Sequence, residues 1–465
     1  MSSMTEVAFQ QCMAPDCKGT YGLDEVLYKC RKCGALLDIR YNWSRCKVPK
    51  SLSYFESRWG TPGRTTDARA DFSGVWRFRE LLPFAPAEEL ATIGEGRTLL
   101  QQADGLAARI GVKPGRLYLQ YEGFNPSGSF KDNGMAAAFT VARRLGRQRV
   151  GCASTGNTSA SLAMYARHTH SSGGSPMQAV VFVGGEKIAF GKLAQALDFG
   201  ARTIQIDGDF DACMKLILEA ADSLGLYLMN SINPFRLEGQ KTIMYRVLEG
   251  LGWEVPDWII VPGGNLGNAS AFGKAFMELR DLGLVNRIPR LAVINATGAN
   301  TLYEIHECEN IRFHEGRWEK ARVEAWYSRM SAEGRKAKTV ASAIEIGRPV
   351  NLPKALRSLE AMSGVVRQVN DESILDGKAL VGAYGYGCEP ASGASVAGLR
   401  ALLEERVIAP SERVVCILTG HQLKDSEATV NYHRGLGNSS GTGPHANRPV
   451  RCAAGIEEIT KELDA

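Results

Sequence analysis

Short apolar runs alternate with longer amphipathic stretches through most of the chain. The runs have the length and the Val and Ile content of buried strands, and the stretches after them place apolar residues at helical spacing. The pattern predicts strands within 116–123, 149–154, 178–184, 202–208, 258–264, 291–298, 363–369 and 414–420, and helices within 130–146, 157–169, 192–200, 210–225 and 268–283. Strands that each lead into a helix form mostly parallel sheets. We therefore expect an α/β fold of open, twisted, mostly parallel sheets with helices on both faces.

The N-terminal segment does not follow this pattern. Cys12 and Cys17 are followed, after a gap of twelve residues, by Cys30 and Cys33. Paired cysteines around a short apolar stretch resemble a zinc ribbon, in which four thiolates hold a metal and the metal replaces a core that is too small to hold itself. Two interpretations stay open: a structural zinc on these four cysteines, or loop cysteines without a metal.

Changes in composition divide the chain into segments. Residues 1–43 form the Cys-rich, zinc-ribbon-like appendage. We expect a large cofactor-binding domain from 44–146 and 231–434, with its loop-rich, aromatic first part wrapped around the rest. We expect 147–230 to form a small mobile domain, and 435–465, with its Gly, Ser and Asn, to form a tail.

Composition narrows the classes of function. Hydrophobic residues make up 44% and charged residues 23%, as in globular proteins, and no apolar run reaches the length of a membrane span. The net charge of +5 favours small anions over a nucleic acid or a membrane as partner. Most of the eleven cysteines are scattered singly, and the N-terminus has no basic segment followed by an apolar one. We therefore expect a cytoplasmic protein with reduced thiols.

Four turns that follow predicted strands carry the candidate chemistry, because ligands of open parallel sheets bind at the carboxyl ends of strands. The first, EGFNPSGSFKDNG at 122–134, delivers Lys131 to the start of a helix. The positive end of the helix dipole lowers the pKa of a lysine there and favours the free amine that a Schiff base requires. The alternative is a solvated surface lysine, which the neighbouring Phe130 disfavours.

The second turn, PGGNLGN at 262–268, is rich in glycine and precedes a helix. Its backbone N–H groups and the helix start are suited to cradle a phosphate. The spacing of Gly263, Gly264 and Gly267 differs from the dinucleotide pattern, and no Lys-Ser or Lys-Thr pair follows. A small phosphate monoester therefore fits the turn better than a nucleotide.

The remaining two turns bring hydroxyl and amide groups to strand ends. The sequence STGNTS at 154–159 suits an anionic carboxylate at a helix start, and LTGH at 418–421 ends the last strand. Taken singly, each can be an ordinary helix cap without a ligand.

Together the four turns, with NPFRLEGQKT, AIEIGRP and EPASGAS, resemble the fold-type II family of pyridoxal-phosphate enzymes, the tryptophan-synthase-β-like group. Within that group, the amino-acid sequence is similar to that of the threonine synthases, continuously from about 122 to 425. The resemblance implies two open sheets, a pyridoxal 5'-phosphate cofactor, a small phosphorylated amino acid as substrate, and a homodimer.

For the cofactor, the resemblance assigns to Lys131 the covalent bond and the transfer of protons. Asn157 would contact the ring hydroxyl oxygen, and Thr419 would face the ring nitrogen. A neutral hydroxyl there would leave the nitrogen unprotonated. The cofactor's phosphate would lie on the six residues of the second turn: Gly263, Gly264, Asn265, Leu266, Gly267 and Asn268.

The implied substrate is O-phosphohomoserine, which loses phosphate from Cγ and gains water at Cβ to give threonine. The residues that match its carboxylate site are Ser154, Thr155 and Asn157, and those that match its phosphate site are Thr158, Asn230, Ser231 and Arg236. A guanidinium suits a phosphate dianion, although Arg236 can instead form a structural salt bridge with Glu238 or with another carboxylate. Asn133 stands where many relatives carry Arg, which puts an ion pair at that place in doubt.

Three alternatives remain. A related enzyme, such as a cysteate synthase on O-phosphoserine or a threonine dehydratase, would share the cofactor site. A silent homologue that binds a phosphorylated metabolite would not need the intact Lys131. A nucleic-acid role for the Cys-rich segment would need more cations than Lys29, Arg31 and Lys32.

Overall fold

The strands of the molecule belong to three sheets. The computed structural model describes residues 7–58, 68–154, 156–170, 174–184, 190–207, 216–221, 223–436 and 443–464. Its strands are β1 (Ala8–Cys12), β2 (Thr20–Tyr21), β3 (Leu37–Tyr41), β4 (Leu100–Gln102), β5 (Leu117–Tyr121), β6 (Arg149–Ala153), β7 (Gln178–Gly184), β8 (Arg202–Ile206), β9 (Leu226–Leu228), β10 (Trp258–Pro262), β11 (Arg290–Ala296), β12 (Val365–Val369) and β13 (Val414–Leu418).

Two of the sheets are open and mostly parallel. The larger has the strand order β12-β11-β10-β13-β5-β4, and only its edge strand β4 is antiparallel to its neighbour. The smaller has the order β8-β7-β6-β9 and is parallel throughout. Strands β10 and β13 are buried along their whole length, because helices cover both faces of the larger sheet, and they therefore read as continuous apolar runs.

The helices follow the strands, as the sequence predicts. Their bounds are α1 (Ala68–Phe72), α2 (Asp104–Ile110), α3 (Lys131–Arg144), α4 (Asn157–His168), α5 (Phe190–Asp198), α6 (Pro234–Gly250), α7 (Gly267–Asp281), α8 (Thr301–Tyr303), α9 (Lys320–Ala332), α10 (Leu352–Ala361), α11 (Asp371–Ala383), α12 (Pro390–Glu404), α13 (Ser426–His433) and α14 (Ile456–Asp464).

Alternate residues of each strand contribute to different hydrophobic cores. Ile259 and Val261 of β10 pack with α6, α7 and α10 on one face of the larger sheet. Trp258 and Ile260 pack with α2, α11 and α12 on the other face. A third core joins α3 and α4 to the smaller sheet, where Phe139 stacks on Tyr165 with ring centroids 5.5 Å apart. The predicted α/β fold with helices on both faces is confirmed.

The N-terminal sheet, in the order β2-β1-β3, is antiparallel and docks on the large body through β3. Tyr41 donates a hydrogen bond to Glu238 of α6 at 2.6 Å. Lys354 of α10 donates to the carbonyl of Leu37 at 2.7 Å and lies 3.2 Å from the carboxylate of Asp38. These groups are buried, so the appendage supplies partners to lysines and acids of the body that water does not reach.

Two further segments bear on the sequence predictions. The segment 435–465, predicted as a tail from its composition, contains helix α14, and the backbone of His445 donates to the Tyr432 hydroxyl at 3.2 Å. The helix predicted within 210–225 lies partly outside the described residues. In the part of the chain that the structure describes, no helix combines the length and the apolar content that a membrane crossing needs.

Candidate active site

Both open sheets direct the carboxyl ends of their strands toward the same group of turns. Lys131 follows β5, the turn at 263–268 follows β10, and Thr419 follows β13, all in the larger sheet. Asn157 follows β6 in the smaller sheet, and its amide donates to Glu389 of the large body at 2.8 Å. The four turns identified in the sequence therefore converge at one place.

Two backbone hydrogen bonds position the turn before Lys131. The N–H of Phe130 donates to the carbonyl of Thr419 at 2.9 Å, and the N–H of His421 donates to the carbonyl of Gly128, also at 2.9 Å. Gly128 has a φ of +83°, a conformation that favours glycine. The lysine turn and the Thr419 turn are therefore one hydrogen-bonded unit.

Asp132 holds the same turn from inside the helix. Its buried carboxylate accepts from the backbone N–H of Ser127 at 2.7 Å and from the Ser127 hydroxyl at 2.6 Å. Ser161 of α4 donates to it as well. The burial of Asp132 raises the pKa of its carboxyl to about 6, against the opposing effect of these hydrogen bonds. The sequence analysis did not identify this residue, although its position next to the lysine was a usable signal.

The amine of Lys131 is a weak base in this environment. Burial and the nearby cations Arg236 and Lys424 together lower its pKa to about 7, against the opposing effect of Glu389. The lowering was predicted, but from the helix dipole; its main cause is the loss of water around the ammonium group. The Nζ atom also lies 3.6 Å from the centre of the Phe130 ring. The amine is thus close to half neutral near neutral pH.

The turn at 263–268 has the features of an anion cradle. The backbone N–H groups of its last five residues donate a hydrogen bond to no acceptor among the described residues. These five residues are Gly264, Asn265, Leu266, Gly267 and Asn268. Leu266 has a φ of +64°, which turns the chain into helix α7. A Cβ on Gly264 would lie 3.1 Å from the carbonyl oxygen of Ala343. Successive free N–H groups at a helix start fit a phosphate, and so these residues fit pyridoxal phosphate.

Two further buried atoms in this region lack partners within the described part of the chain. They are Oγ of Ser129, two residues before the lysine, and Nε of Arg236. Buried polar atoms of this kind are rare in folded proteins and call for a ligand or water. Their positions agree with a site that binds a polar molecule.

Arg236 is fully buried, and none of the described carboxylates forms an ion pair with it. Its Nη1 donates to the carbonyl of Met229 at 2.8 Å. Glu238, the alternative partner, instead pairs with Lys241 at 2.7 Å and with Lys274. Burial lowers the pKa of Arg236 to about 10, so the guanidinium keeps its charge at neutral pH. The predicted alternative of an Arg236–Glu238 salt bridge is therefore wrong.

Three of the other predicted substrate residues, Ser154, Thr158 and Asn230, lie at the start of α4 or at the end of the strand before it. Ser154 accepts from the N–H of Gly156 at 3.2 Å, and Thr158 lies in the first turn of α4. The Asn230 side chain exchanges two hydrogen bonds with the backbone of Ala153, at 3.1 and 2.9 Å, and so joins β6 to the segment before α6. The carbonyl of Ser231 accepts from Asn351 at 3.0 Å. Thr155 lies outside the described residues.

The guanidinium of Arg246 lies beside Asn133. Arg246 of α6 donates to Glu122 at 2.8 Å and to the side chain of Asn133 at 3.0 Å, and Asn133 donates to Glu122 at 2.7 Å. All three residues are buried. An ion pair therefore lies beneath the lysine helix, with its cation supplied from another helix.

The four N-terminal cysteines form one cluster. Their Sγ atoms all lie within 4.8 Å of one another, and the closest pairs are Cys12–Cys33 at 3.4 Å and Cys17–Cys30 at 3.6 Å. The residue that follows each cysteine pair, Lys18 or Gly34, has a left-handed backbone conformation. Sulfur atoms around a tetrahedral zinc lie about 3.8 Å apart. The cluster thus has the spacing of a four-thiolate metal site.

Comparison with known proteins agrees with this geometry. A profile of the family "Pyridoxal-phosphate dependent enzyme" matches residues 91–420. The threonine synthase of Methanocaldococcus jannaschii is 40% identical over 424 residues, which cover 90% of this chain and 94% of that protein. Threonine synthase 2, chloroplastic, of Arabidopsis thaliana is 36% identical and covers 90% and 77%.

A solved structure shares the fold. The crystal structure of threonine synthase from Escherichia coli matches with a TM-score of 0.61 and 18% identity, over 98% of this chain and 99% of that one. The predicted fold-type II architecture is confirmed. By its family profile and its relatives, this chain belongs to the pyridoxal-phosphate dependent enzymes and, within them, to the threonine synthases.

Proposed function

We propose that the protein converts O-phosphohomoserine and water into threonine and orthophosphate with pyridoxal phosphate as cofactor. Its membership of the threonine synthase family supports the activity. The observation that carries the substrate is Arg236, a buried guanidinium without a carboxylate partner among the described residues, close enough to lower the pKa of Lys131. A phosphate dianion would give that guanidinium a charged hydrogen-bond acceptor.

In this proposal the N–H groups of the turn at 263–268 would hold the cofactor's phosphate. Lys131 would form the covalent bond to the cofactor, Asn157 would contact the ring hydroxyl and Thr419 the ring nitrogen. The bound cofactor supplies an electron sink that makes the protons on Cα and then on Cβ of the substrate acidic.

The substrate's carboxylate would be held by Ser154, Thr155 and Asn157. Its phosphate would be held by Arg236, with Thr158, Asn230 and Ser231 around it. With the substrate bound, the Lys131 amine would take the proton from Cα, release it, and then take one from Cβ, while Arg236 would stabilise the phosphate that leaves Cγ. Lys131 would return the Cβ proton to Cγ. Water would then add its hydroxyl at Cβ, its remaining proton would go to the released phosphate, and a proton would return to Cα. An amine with a pKa of about 7 can both take and return a proton near neutral pH.

The decisive experiment is a substrate assay on the cofactor-loaded protein. We expect phosphate release from O-phosphohomoserine in a one-to-one ratio with threonine. Turnover of O-phosphoserine with sulfite, and none of O-phosphohomoserine, would favour the cysteate synthase alternative. Deamination of threonine alone would favour the dehydratase.

Substitution at Arg236 tests the substrate assignment directly. Arg236→Lys keeps the charge but loses the fork of donors, and we expect kcat/KM for O-phosphohomoserine to fall about 10- to 100-fold, as for a lost charge-assisted hydrogen bond. Arg280→Lys, on the exposed end of α7, is the matched control and should leave kcat/KM unchanged. An equal effect of both substitutions would contradict the role of Arg236.

We also propose that Cys12, Cys17, Cys30 and Cys33 bind one structural zinc ion. All four ligand positions are filled by thiols, which leaves none for a substrate. A cavity of about 240 Å³ beside Cys12 is lined by Lys18 and Arg40 and by Arg357 with its partner Asp38, so that its lining carries a net positive charge beside the proposed thiolates.

Metal analysis tests the zinc proposal. We expect about one zinc ion per chain after purification without chelators. Cys30→Ser should lose the metal, whereas Cys452→Ser, at an exposed cysteine far along the chain, should keep it. Metal-free wild-type protein with an unchanged melting temperature after zinc addition would favour loop cysteines without a metal.

We also propose that the protein is cytoplasmic and forms a homodimer. Light scattering during gel filtration measures the molar mass of the assembly and so tests the homodimer.

We further propose that 147–230 moves as a unit over the substrate, since its strands form a separate sheet. Fewer protected amides in this unit without substrate than with it, in hydrogen exchange, would support such closure.

A further inference from the structure

Tyr28, which lies between the two cysteine pairs of the appendage, contacts the smaller sheet. Its hydroxyl accepts a hydrogen bond from the backbone N–H of Leu228 at 2.6 Å. Leu228 ends β9, the edge strand that pairs with β6 alone in the described part of the chain. Leu228 is fully buried, and the ring of Tyr28 packs against the small core that contains Leu226 and Leu228. The appendage therefore supplies an acceptor for a buried N–H on the open side of the strand.

The backbone next to this contact holds Arg236. The carbonyl of Leu228 accepts from the side chain of Asn233 at 2.9 Å, and the other atom of that amide caps α6 by accepting from the N–H of Phe235 at 3.1 Å. The carbonyl of Met229 accepts from Nη1 of Arg236 at 2.8 Å. These two carbonyls thus fix the first turn of α6 relative to the end of β9.

The appendage also holds α6 directly, on the other side of Arg236. Tyr41 of β3 donates to Glu238 at 2.6 Å. Lys274, which pairs with Glu238, donates to the carbonyl of Ile39 as well. The appendage is therefore bonded to the chain both before and after Arg236, and Tyr28 makes the contact on the side of the smaller sheet.

We propose that Tyr28 is a positioning residue for Arg236 and so sets the affinity of the site for the phosphate of the substrate. The inference rests on the proposed function, in which Arg236 holds that phosphate. The bond to Met229 restricts the rotation of the guanidinium, and its buried Nε has no partner among the described residues. Recognition of a phosphate by such a fork of donors depends on the orientation of the guanidinium plane. Without the Tyr28 hydroxyl, the end of β9 shifts, and the Met229 carbonyl shifts with it.

Tyr28→Phe tests the proposal, because it keeps the packed ring and removes only the hydroxyl. On the cofactor-loaded full chain, we expect KM for O-phosphohomoserine to rise about fivefold to tenfold, as for one lost buried hydrogen bond. The dissociation constant of orthophosphate, measured by calorimetry, should rise by the same factor. We expect kcat to change less than about twofold, because the phosphate is held both before and during the reaction. Unchanged values of KM and of the dissociation constant would overturn the proposal.

Two comparisons separate positioning from a general loss of structure. Tyr54→Phe is the matched control, since its hydroxyl accepts from Arg58 at 3.2 Å on the surface, and it should leave both constants unchanged. The affinity of Tyr28→Phe for pyridoxal phosphate should equal that of the wild type, because the turn at 263–268 follows a strand of the larger sheet. An equal loss of affinity for cofactor and for orthophosphate would contradict a role specific to Arg236.

A measurement on the wild-type protein decides the matter even if Tyr28→Phe does not fold. Coupling between two contacts is reciprocal, so bound orthophosphate must stabilise the contact between Tyr28 and Leu228. We expect saturating orthophosphate to slow hydrogen exchange of the amides in 27–30, which lie outside the proposed phosphate contacts, and in 226–229. Exchange at 27–30 that does not respond to orthophosphate would overturn the proposal.

The outcomes also distinguish this proposal from the proposed function. Wild-type protein that neither binds orthophosphate nor uses O-phosphohomoserine contradicts the proposed function and this inference with it. Wild-type protein that does both, with constants equal to those of Tyr28→Phe, contradicts only the role of Tyr28.

Discussion

Lys131 differs from the surface lysines of this chain because its amine has lost most of its water and has Arg236 and Lys424 close by. With a pKa of about 7, about one tenth of the amine is neutral at pH 6 and nearly all at pH 8. We expect the rate at which cofactor-free protein captures pyridoxal phosphate to rise about tenfold between pH 6 and 8 and then to level off. Stopped-flow absorbance measures this rate.

Lys131→Ala should abolish the yellow colour of the reconstituted protein, whereas Lys320→Ala, at an exposed lysine, should leave both colour and pH profile unchanged. A capture rate that keeps rising tenfold per pH unit toward pH 10 would show that the amine has an ordinary pKa.

At the scale of elements, the turn between β10 and α7 depends on the absence of a side chain at Gly264. A Cβ there would press on the backbone of Ala343 and Ile344 at 3.1 Å. We expect Gly264→Ala to shift the cradle and weaken cofactor binding about tenfold or more, measured by absorbance titration. Gly382→Ala, where a Cβ meets nothing within 4 Å, is the control. Equal cofactor affinities of the two variants would contradict the cradle.

The contact between β3 and the large body is a second feature at this scale, and its effect on stability can be measured. Asp38 is buried between Lys354 and Arg357, and these cations hold the pKa of its carboxyl well below the usual range. We expect Asp38→Asn to lower the free energy of unfolding by about 3 kcal/mol, because it leaves buried cations without a charged partner. Urea unfolding measures this change, with the exposed Asp281→Asn as control. A loss below about 0.5 kcal/mol would mean that the appendage is not coupled to the body.

The whole molecule shows why some features were predictable and others were not. Eight strands of the two open sheets were predicted because each is a short apolar run bounded by turn residues, as in WIIVP of β10. The strands β2, β4 and β9 were not, because segments of two or three residues are too short to show a pattern. Helix α14 was hidden by the glycine-rich segment before it.

For the candidate site, too, some features were predictable from local sequence patterns and others were not. The sequence by itself determined the family and indicated Lys131 and the glycine turn as candidate site features, because these depend on residue types at fixed local spacing. Only the tertiary structure decided which groups act on them. Glu389 and Arg246 reach the site from helices that are distant in sequence, and Glu238 is taken from Arg236 by two lysines. Hydrogen-bond direction and burial depend on neighbours in space, and no local pattern of residues records those neighbours.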